Sequence, residues 1–245
     1  MATEMRRRIE SNDPELNELT IAPTRSFRDK YYPPDGDWER DGKGIGGNER
    51  IKELSFGTGL PPSFGDDLSD SVVSRDDFEA FCGGLASNQS IERLNIRCIL
   101  FGGEMFNILR PFFEQNCNLR CLSVSSWPGV FSRSPNGVRL LTEVLSRFNT
   151  LTEFEYSGGQ LDDSRIELLV QALAGHSRMA KISLVGNELG GRGLAALAAA
   201  TSVENLDLSN NYIDGDAAPI LLANTLANGI HLKVLKLSEN ADITT

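Results

Sequence analysis

One short pattern of apolar residues returns along the chain, and its clearest copy is V-E-N-L-D-L-S-N-N-Y-I at residues 203–213. Apolar side chains occupy positions 1, 4, 6 and 11 of that copy, and an asparagine occupies position 9. The same spacing begins again at Met179 and at Leu232. Because side chains alternate along a β-strand, positions 4 and 6 lie on one face, so each copy predicts a short strand with one buried side. Copies of this length bury that side only by stacking on one another.

Weaker copies of the pattern can be followed toward the N-terminus. They begin at Ile51, Ile91, Leu119 and Leu151, and with the three clear copies they make about seven units. The intervals from 91 to 119 and from 151 to 179 are 28 residues, and the interval from 203 to 232 is 29. Such a length is enough for a strand followed by a full helix. We therefore expect an α/β repeat domain over residues 37–245.

The two ends of this repeat domain carry separate predictions. Residues 1–36 contain many charges and few aliphatic side chains, with prolines at positions 23, 33 and 34, and we expect a disordered or irregular lead-in. Asp37 is a suitable N-cap for a short helix from Trp38 to Gly47, which would cap the first unit. The chain stops at Thr245, directly after the last predicted strand, so we expect the repeat domain to be truncated at its C-terminus.

Two residue types inside the units have predicted structural roles. The asparagines at position 9 are Asn187, Asn211 and Asn240, and each amide offers two N–H donors and one acceptor to the turn backbone. We expect them to form a ladder that bonds successive units together. Pro111 interrupts the apolar spacing between residues 105 and 116, and because proline lacks a backbone N–H, that helix should be kinked or short.

Residue types that carry most catalytic and metal chemistry are scarce in this chain. The histidines are His176 and His231, and the four cysteines include no C-x-x-C pair. Cys117 and Cys121 are spaced like half of a metal site, but no second half is visible. The glycines between residues 42 and 47 follow the order G-x-G-x-G-G, which matches neither the dinucleotide-binding nor the Walker pattern. We expect no catalytic residue, no cofactor, no metal site and no enzyme activity.

Charge and hydropathy restrict the class of partner. The net charge of −10 at pH 7 repels nucleic acid and anionic membrane surfaces and favours basic protein partners, although solubility alone also explains it. No apolar run approaches the roughly 20 residues that span a bilayer, and the basic N-terminus is not followed by an apolar stretch. We expect an intracellular, cytoplasmic protein with neither a membrane nor a nucleic-acid partner. The oligomeric state stays open.

The units resemble leucine-rich repeats of the ribonuclease-inhibitor-like type, whose strand ends read L-x-x-L-x-L-x-x-N-x-L. The resemblance covers roughly residues 51–243 and is strongest from residue 151 onward, because Gly159 and Trp127 replace the asparagine upstream. It implies a curved solenoid, or horseshoe, with parallel strands on the concave face and helices on the convex face. It also implies a non-enzymatic scaffold that binds an unknown protein partner through the concave face and rim loops. The family includes Ran-type GTPase-activating proteins, so regulatory GTPase activation is the alternative function.

Candidate binding residues are the side chains at strand positions 3, 5 and 7, which alternate with the core positions. Arginine is one of the residue types that dominate binding hot spots, although surface polarity explains most of these positions equally well. The candidates on strands are Arg93, Asn95, Arg97, Glu153, Glu155, Lys181, Asp207 and Lys236. A Gly/Pro-rich rim loop adds Trp127 and Phe131, which either anchor a partner or fold back over the core.

Overall fold

Short parallel strands alternate with helices along the chain, as the repeat spacing predicts. The computed structural model describes residues 2–22, 31–57, 73–97, 103–125, 136–147, 150–200, 203–215, 219, 223 and 232–240. Those ranges contain eight helices and eight strands. The chain divides into two compact units, unit 1 (Met1–Ser123) and unit 2 (Val124–Thr245).

The strands of unit 1 run parallel and neighbour one another in sequence order. Leu19, Leu54 and Leu94 stand side by side in the register of its first three strands. Its elements are α1 (Ala2–Glu10), β1 (Glu18–Ile21), α2 (Trp38–Gly46), β2 (Glu53–Phe56), α3 (Arg75–Leu85), β3 (Arg93–Ile96), α4 (Glu104–Ile108), α5 (Arg110–Gln115) and β4 (Cys121–Ser125), which contains the division between the units.

Unit 2 repeats the arrangement, with Phe154, Ile182, Leu206 and Leu235 in register across four parallel strands. Each of these residues is position 4 of its copy of the pattern. The elements of unit 2 are α6 (Gly137–Leu145), β5 (Glu153–Ser157), α7 (Asp163–Leu173), β6 (Lys181–Ser183), α8 (Gly191–Ala200), β7 (Asn205–Asp207) and β8 (Val234–Lys236).

The core positions of the pattern are buried in both units. The position-4 side chains of Leu54, Leu94, Phe154 and Ile182 are all 0% exposed. Burying an apolar side chain of this size contributes about 1.5–3 kcal/mol to folding. Parallel strands in sequence order, separated by helices and buried on the predicted positions, make this an α/β repeat fold. The horseshoe curvature and its concave and convex faces stay predictions.

The predicted ladder of position-9 asparagines is confirmed in unit 2. The Asn211 amide donates to the carbonyl of Leu208 at 3.0 Å and to that of Leu184, one repeat earlier, at 2.8 Å. Its oxygen accepts the backbone N–H of Leu189 at 3.1 Å. Asn187 and Asn240 make the same pattern of bonds to the preceding repeat. These amides satisfy buried backbone groups that the turns leave unpaired.

Two predicted helix features are also confirmed. The side chain of Asp37 accepts the backbone N–H of Arg40 at 3.0 Å and caps α2, which ends at Gly46 and not at Gly47. Pro111 lies in the first turn of α5, and the helical segment expected around it is split at Leu109 into two short helices.

Two glycines of α2, Gly42 and Gly46, serve helix packing. A β-carbon added to Gly42 would lie 2.2 Å from the carbonyl oxygen of Phe81, and one added to Gly46 would lie 2.2 Å from that of Gly84. Real β-carbons do not approach backbone this closely, so only glycine lets α2 and α3 come together. This contact explains a glycine run that matches no phosphate-binding pattern.

The expectation of a disordered or irregular lead-in over residues 1–36 is wrong for residues 2–22. They form α1 and β1, and β1 pairs with β2 in parallel register. Leu16, Leu19 and Ile21 are 2–4% exposed and stand at positions 1, 4 and 6 of one more copy of the pattern. The charged composition wrongly indicated disorder. A short segment needs few apolar residues to become ordered when it pairs with the edge of an existing sheet, as β1 does with β2. Residues 23–30 and Thr245, where the predicted truncation falls, lie outside the described residues.

Charged side chains hold α1 against α2. Arg6, which is 6% exposed, donates to the carboxylate of Asp41 at 2.6 Å and to both oxygens of Asp35 at 2.6 and 2.7 Å. The hydroxyl of Tyr31 donates to the second Asp41 oxygen at 2.6 Å. The hydrogen bonds from Arg6 hold the pKa of Asp35 well below its usual range, and burial, with the bond to Asp41, raises the pKa of Tyr31. Arg6 and Asp41 are thus buried as a pair, and the exposed Asp35 is the second carboxylate partner of Arg6.

Replacing Arg6 with alanine should destabilise the fold by about 3–5 kcal/mol, because Asp41, only 2% exposed, would keep an uncompensated charge. Urea unfolding followed by circular dichroism measures this loss. Arg7→Ala is the matched control, because Arg7 pairs with Glu4 on the surface and its loss should leave the free energy of unfolding nearly unchanged. Equal stability of the Arg6 and Arg7 variants would refute the role assigned to Arg6.

A second row of asparagines, not foreseen from the sequence, joins the repeats of unit 1 where helices end. Asn88 donates to the carbonyls of Ile45 at 2.7 Å and Asn48 at 2.9 Å, and its oxygen accepts the N–H groups of Ser90 and Ile91 at 2.8 Å. Asn48 and Asn116 bond in the same way. Each stands three residues before position 1, so the signal N-x-x-[I/L] was present in the sequence.

His176 occupies the corresponding place in unit 2, three residues before Met179. Its Nε2 atom lies 2.9 Å from the carbonyl oxygen of Leu145, which makes Nε2–H the donor. The ring is 4% exposed, and its Nδ1 atom has no hydrogen-bond partner in the part of the chain that the structure describes. Burial lowers the pKa of His176, and the bond to Leu145 offsets this only in part. His176 is therefore a buried link between repeats and not a solvated residue at a helix end.

The depressed pKa of His176 should make stability depend on pH. The folded state favours the neutral form of His176. The stabilisation that His176 gives to the fold is therefore complete above the ordinary histidine pKa of about 6.5 and is lost as pH falls below that value. His176→Asn should remove this decline between pH 7.5 and pH 5.5, because an amide can copy the bonds of Asn88 without titrating. Thermal unfolding of both proteins across that range is the measurement. If the stability of the two proteins declined in parallel with pH, titration of His176 would not be the cause of the decline.

Candidate protein-binding face

The side chains at positions 3, 5 and 7 of the strands form what we call the open face of each unit, because they alternate with the buried positions 4 and 6. In unit 1 the open face consists of Glu18, Thr20, Glu53, Ser55, Arg93, Asn95, Arg97, Cys121 and Ser123. In unit 2 its charged and exposed apolar members are Glu153, Glu155, Lys181, Asp207, Val234 and Lys236. All eight strand candidates from the sequence therefore lie on these faces.

Two of the candidates in unit 1 are engaged with neighbouring strands. One guanidinium N–H of Arg93 donates to the sulfur of Cys121 at 2.7 Å, and its Nε lies 3.8 Å from a carboxylate oxygen of Glu53. Asn95 is 5% exposed and donates to Glu53 at 2.7 Å and to the Ser55 hydroxyl at 3.0 Å. Both side chains organise the face from within. Arg97 is the candidate of this group that stands exposed.

A recess of about 340 Å³ opens in the face of unit 1. Its polar lining comes from β1, from β2, from Tyr31 and from Arg97, the residue that follows β3. The lining residues are Met5, Glu18, Leu19, Thr20, Tyr31, Glu53, Ser55 and Arg97. Arg97 was a binding candidate from the sequence, and Glu53 and Ser55 stand at positions 3 and 5 of the copy that begins at Ile51. Glu18 and Thr20 were missed, because β1 lay within the segment expected to be irregular. The spacing of Leu16, Leu19 and Ile21 was the signal that would have added Glu18 and Thr20.

The candidates of unit 2 come together in two cross-strand ion pairs. Lys181 pairs with Glu155, and Lys236 pairs with Asp207 at 3.2 Å. Burial acts to raise the pKa of Asp207, but hydrogen bonds from Ser209 and the nearby Lys236 outweigh it and leave that pKa below its usual value. Glu153 stands beside Lys181 in the register. The two lysines are exposed and the two carboxylates are partly exposed, so both pairs remain accessible to a partner.

Exposed apolar side chains accompany these charges in unit 2. Val234 on the open face is 42% exposed, and Tyr212, directly after the position-9 asparagine of its repeat, is 64% exposed. Tyrosine is a frequent anchor in protein interfaces, and sequence reasoning passed over it because it falls between pattern positions. The predicted rim anchors Trp127 and Phe131 lie outside the described residues. Tyr212 is therefore the rim aromatic whose exposure the structure defines.

Metal-binding and membrane-spanning features were searched over the described ranges alone. No group of three or more His, Cys, Asp and Glu side chains in them is placed to hold a metal ion. Cys121 is buried and bonded to Arg93, and Cys117 is exposed. No helix there is both long and apolar enough to cross a bilayer.

Comparison with known proteins adds little to this geometry. No protein-family model matches the chain, and no curated protein matches it. Among solved structures the chain is similar to one titled "Leiomodin-1 Actin-Binding Site 2 (ABS2)", with 14% sequence identity and a TM-score of 0.35. That match covers 74% of this chain and 77% of the other chain. A likeness of this size carries no argument about partner or activity.

Proposed function

We propose that this chain is a non-enzymatic scaffold of the ribonuclease-inhibitor-like leucine-rich repeat type, which binds a protein partner through the open faces of its strands. The observation that carries the proposal is the alternation of side chains along β5, β6 and β7. Positions 4 and 6 of these strands are buried, whereas positions 3, 5 and 7 are partly exposed and, apart from Val185, polar. Parallel rows spaced about 4.8 Å apart offer a partner many small contacts on a rigid backbone.

The chemistry of the faces favours a partner with both charged and apolar groups. In unit 2 the open face carries the ion pairs Glu155–Lys181 and Asp207–Lys236, Val234 on the same face is exposed, and Tyr212 is also exposed. Charged rims around apolar anchors are the usual composition of transient protein interfaces. The overall negative charge favours basic partners during encounter. The GTPase-activating alternative has no specific observation in its favour in the described part of the chain.

Neutralising the open-face cations should weaken partner binding about tenfold or more, because ion pairs exchanged with the partner would be lost. The variant is Arg97→Gln with Lys181→Gln and Lys236→Gln. The measurement is quantitative affinity capture from cell lysate with the whole chain, followed by titration of the captured protein.

The matched control changes charge by the same amount on the helices, with Lys43→Gln, Arg75→Gln and Arg139→Gln. These three side chains form exposed i,i+4 pairs on α2, α3 and α6. The control should retain the partner as wild type does. If no protein is captured specifically, or if both variants lose it equally, the open faces are not the binding surface.

A further inference from the structure

The recess in unit 1 has an ordered polarity along the strand direction. Glu18 and Glu53 stand side by side at position 3 of β1 and β2. Thr20 and Ser55 follow side by side at position 5. Arg97, at position 7 of the next repeat, closes the lining. Four residues of strand separate position 3 from position 7, roughly 13 Å at about 3.3 Å per residue.

Among the described residues, the carboxylates of Glu18 and Glu53 at the acidic end of the recess are only partly neutralised by basic side chains. Like charges directly opposite one another on neighbouring strands are unfavourable, and these two glutamates are register partners. Glu53 is partly compensated by Asn95 at 2.7 Å and by the Arg93 guanidinium at 3.8 Å. Glu18 is exposed and forms no ion pair with any residue that the structure describes. A cation entering from outside would therefore relieve this repulsion.

The middle of the recess offers an unused hydrogen-bond donor. The Ser55 hydroxyl is buried at 4% exposure and accepts a bond from Asn95 at 3.0 Å. No described residue accepts its proton, and buried donors normally have an acceptor. Because Ser55 lines the recess, a carbonyl oxygen of a bound segment is a suitable acceptor. At the far end, Arg97 is exposed and its guanidinium suits a carboxylate.

We propose that the recess binds an extended partner segment with a lysine or arginine side chain at the Glu18–Glu53 end and a carboxylate at the Arg97 end. The inference rests on the proposed scaffold function and names the chemistry of one part of its partner. Along the recess the lining offers two carboxylates, then a hydroxyl, then a guanidinium. A complementary segment carries a basic side chain, then a backbone amide, then an acidic side chain. A volume of about 340 Å³ holds a few residues of such a segment.

The test uses the whole chain labelled with ¹⁵N and a capped tetrapeptide with lysine first, two glycines and glutamate last. We expect saturable amide shifts confined to the recess residues Thr20, Ser55 and Arg97 in the millimolar range. Glu18→Gln with Glu53→Gln should weaken the affinity at least fivefold, while the carboxamide oxygen at position 53 can still accept the Asn95 bond. Glu15→Gln with Glu49→Gln, exposed glutamates outside the lining, is the matched control and should stay within twofold of wild type.

A second variant tests the basic end separately. In Arg97→Gln, the tetrapeptide ending in glutamate and one ending in glutamine should bind equally, whereas wild type should prefer glutamate. Absence of saturable shifts in wild type, or unchanged affinity in the Glu18–Glu53 variant, overturns the recess proposal even if partner capture succeeds. Specific tetrapeptide binding without any captured partner supports the recess and refutes the scaffold function, so the two failures are distinguishable.

Discussion

Buried asparagine amides that bond each repeat to the one before it are the interaction on which the fold depends. A turn between strand and helix leaves backbone N–H and C=O groups without partners, and burying such groups unpaired costs about 1–3 kcal/mol each. Asn211 in unit 2 and Asn88 in unit 1 each satisfy groups in two successive repeats. Every repeat therefore needs its predecessor. The core leucines supply most of the burial energy, while the amides determine which repeat surfaces meet.

The first described repeat also needs a side chain that bonds to the turn backbone. Asp13 stands where Asn48 and Asn88 stand in later repeats, and its carboxylate accepts the backbone N–H of Glu15 at 2.9 Å. A carboxylate accepts but cannot donate, and the second Asp13 oxygen accepts a bond from the Arg8 guanidinium at 2.5 Å. The paired charges of Arg6, Asp35 and Asp41 then attach α1 to α2. Because these bonds satisfy the backbone between repeats, an exposed strand position such as Arg97 is available to a partner.

The sequence was enough to predict the elements that repeat strongly and failed where the argument relied on composition or on contacts between distant residues. Val203–Ile213 identified the strand, its buried face and the role of Asn211 because periodicity and side-chain chemistry agree there. β1 was missed because the many charged residues around Leu16 and Leu19 favoured disorder, although the apolar residues there have the spacing of the repeat pattern. The engagement of Arg93 was not predictable, since its partner Cys121 lies 28 residues away and depends on strand register. The recess was hidden for the same reason, because its lining comes from separate repeats.

The free energy of unfolding of Asn88→Ala, measured by chemical denaturation, tests the central claim most directly. This substitution removes the side-chain bonds to Ile45, Asn48, Ser90 and Ile91 without altering the apolar core. Several buried backbone groups would lose their partners, so we predict a loss of about 3 kcal/mol or more. A loss below about 0.5 kcal/mol, the range of ordinary surface substitutions, would contradict the claim that these amides hold the repeats together.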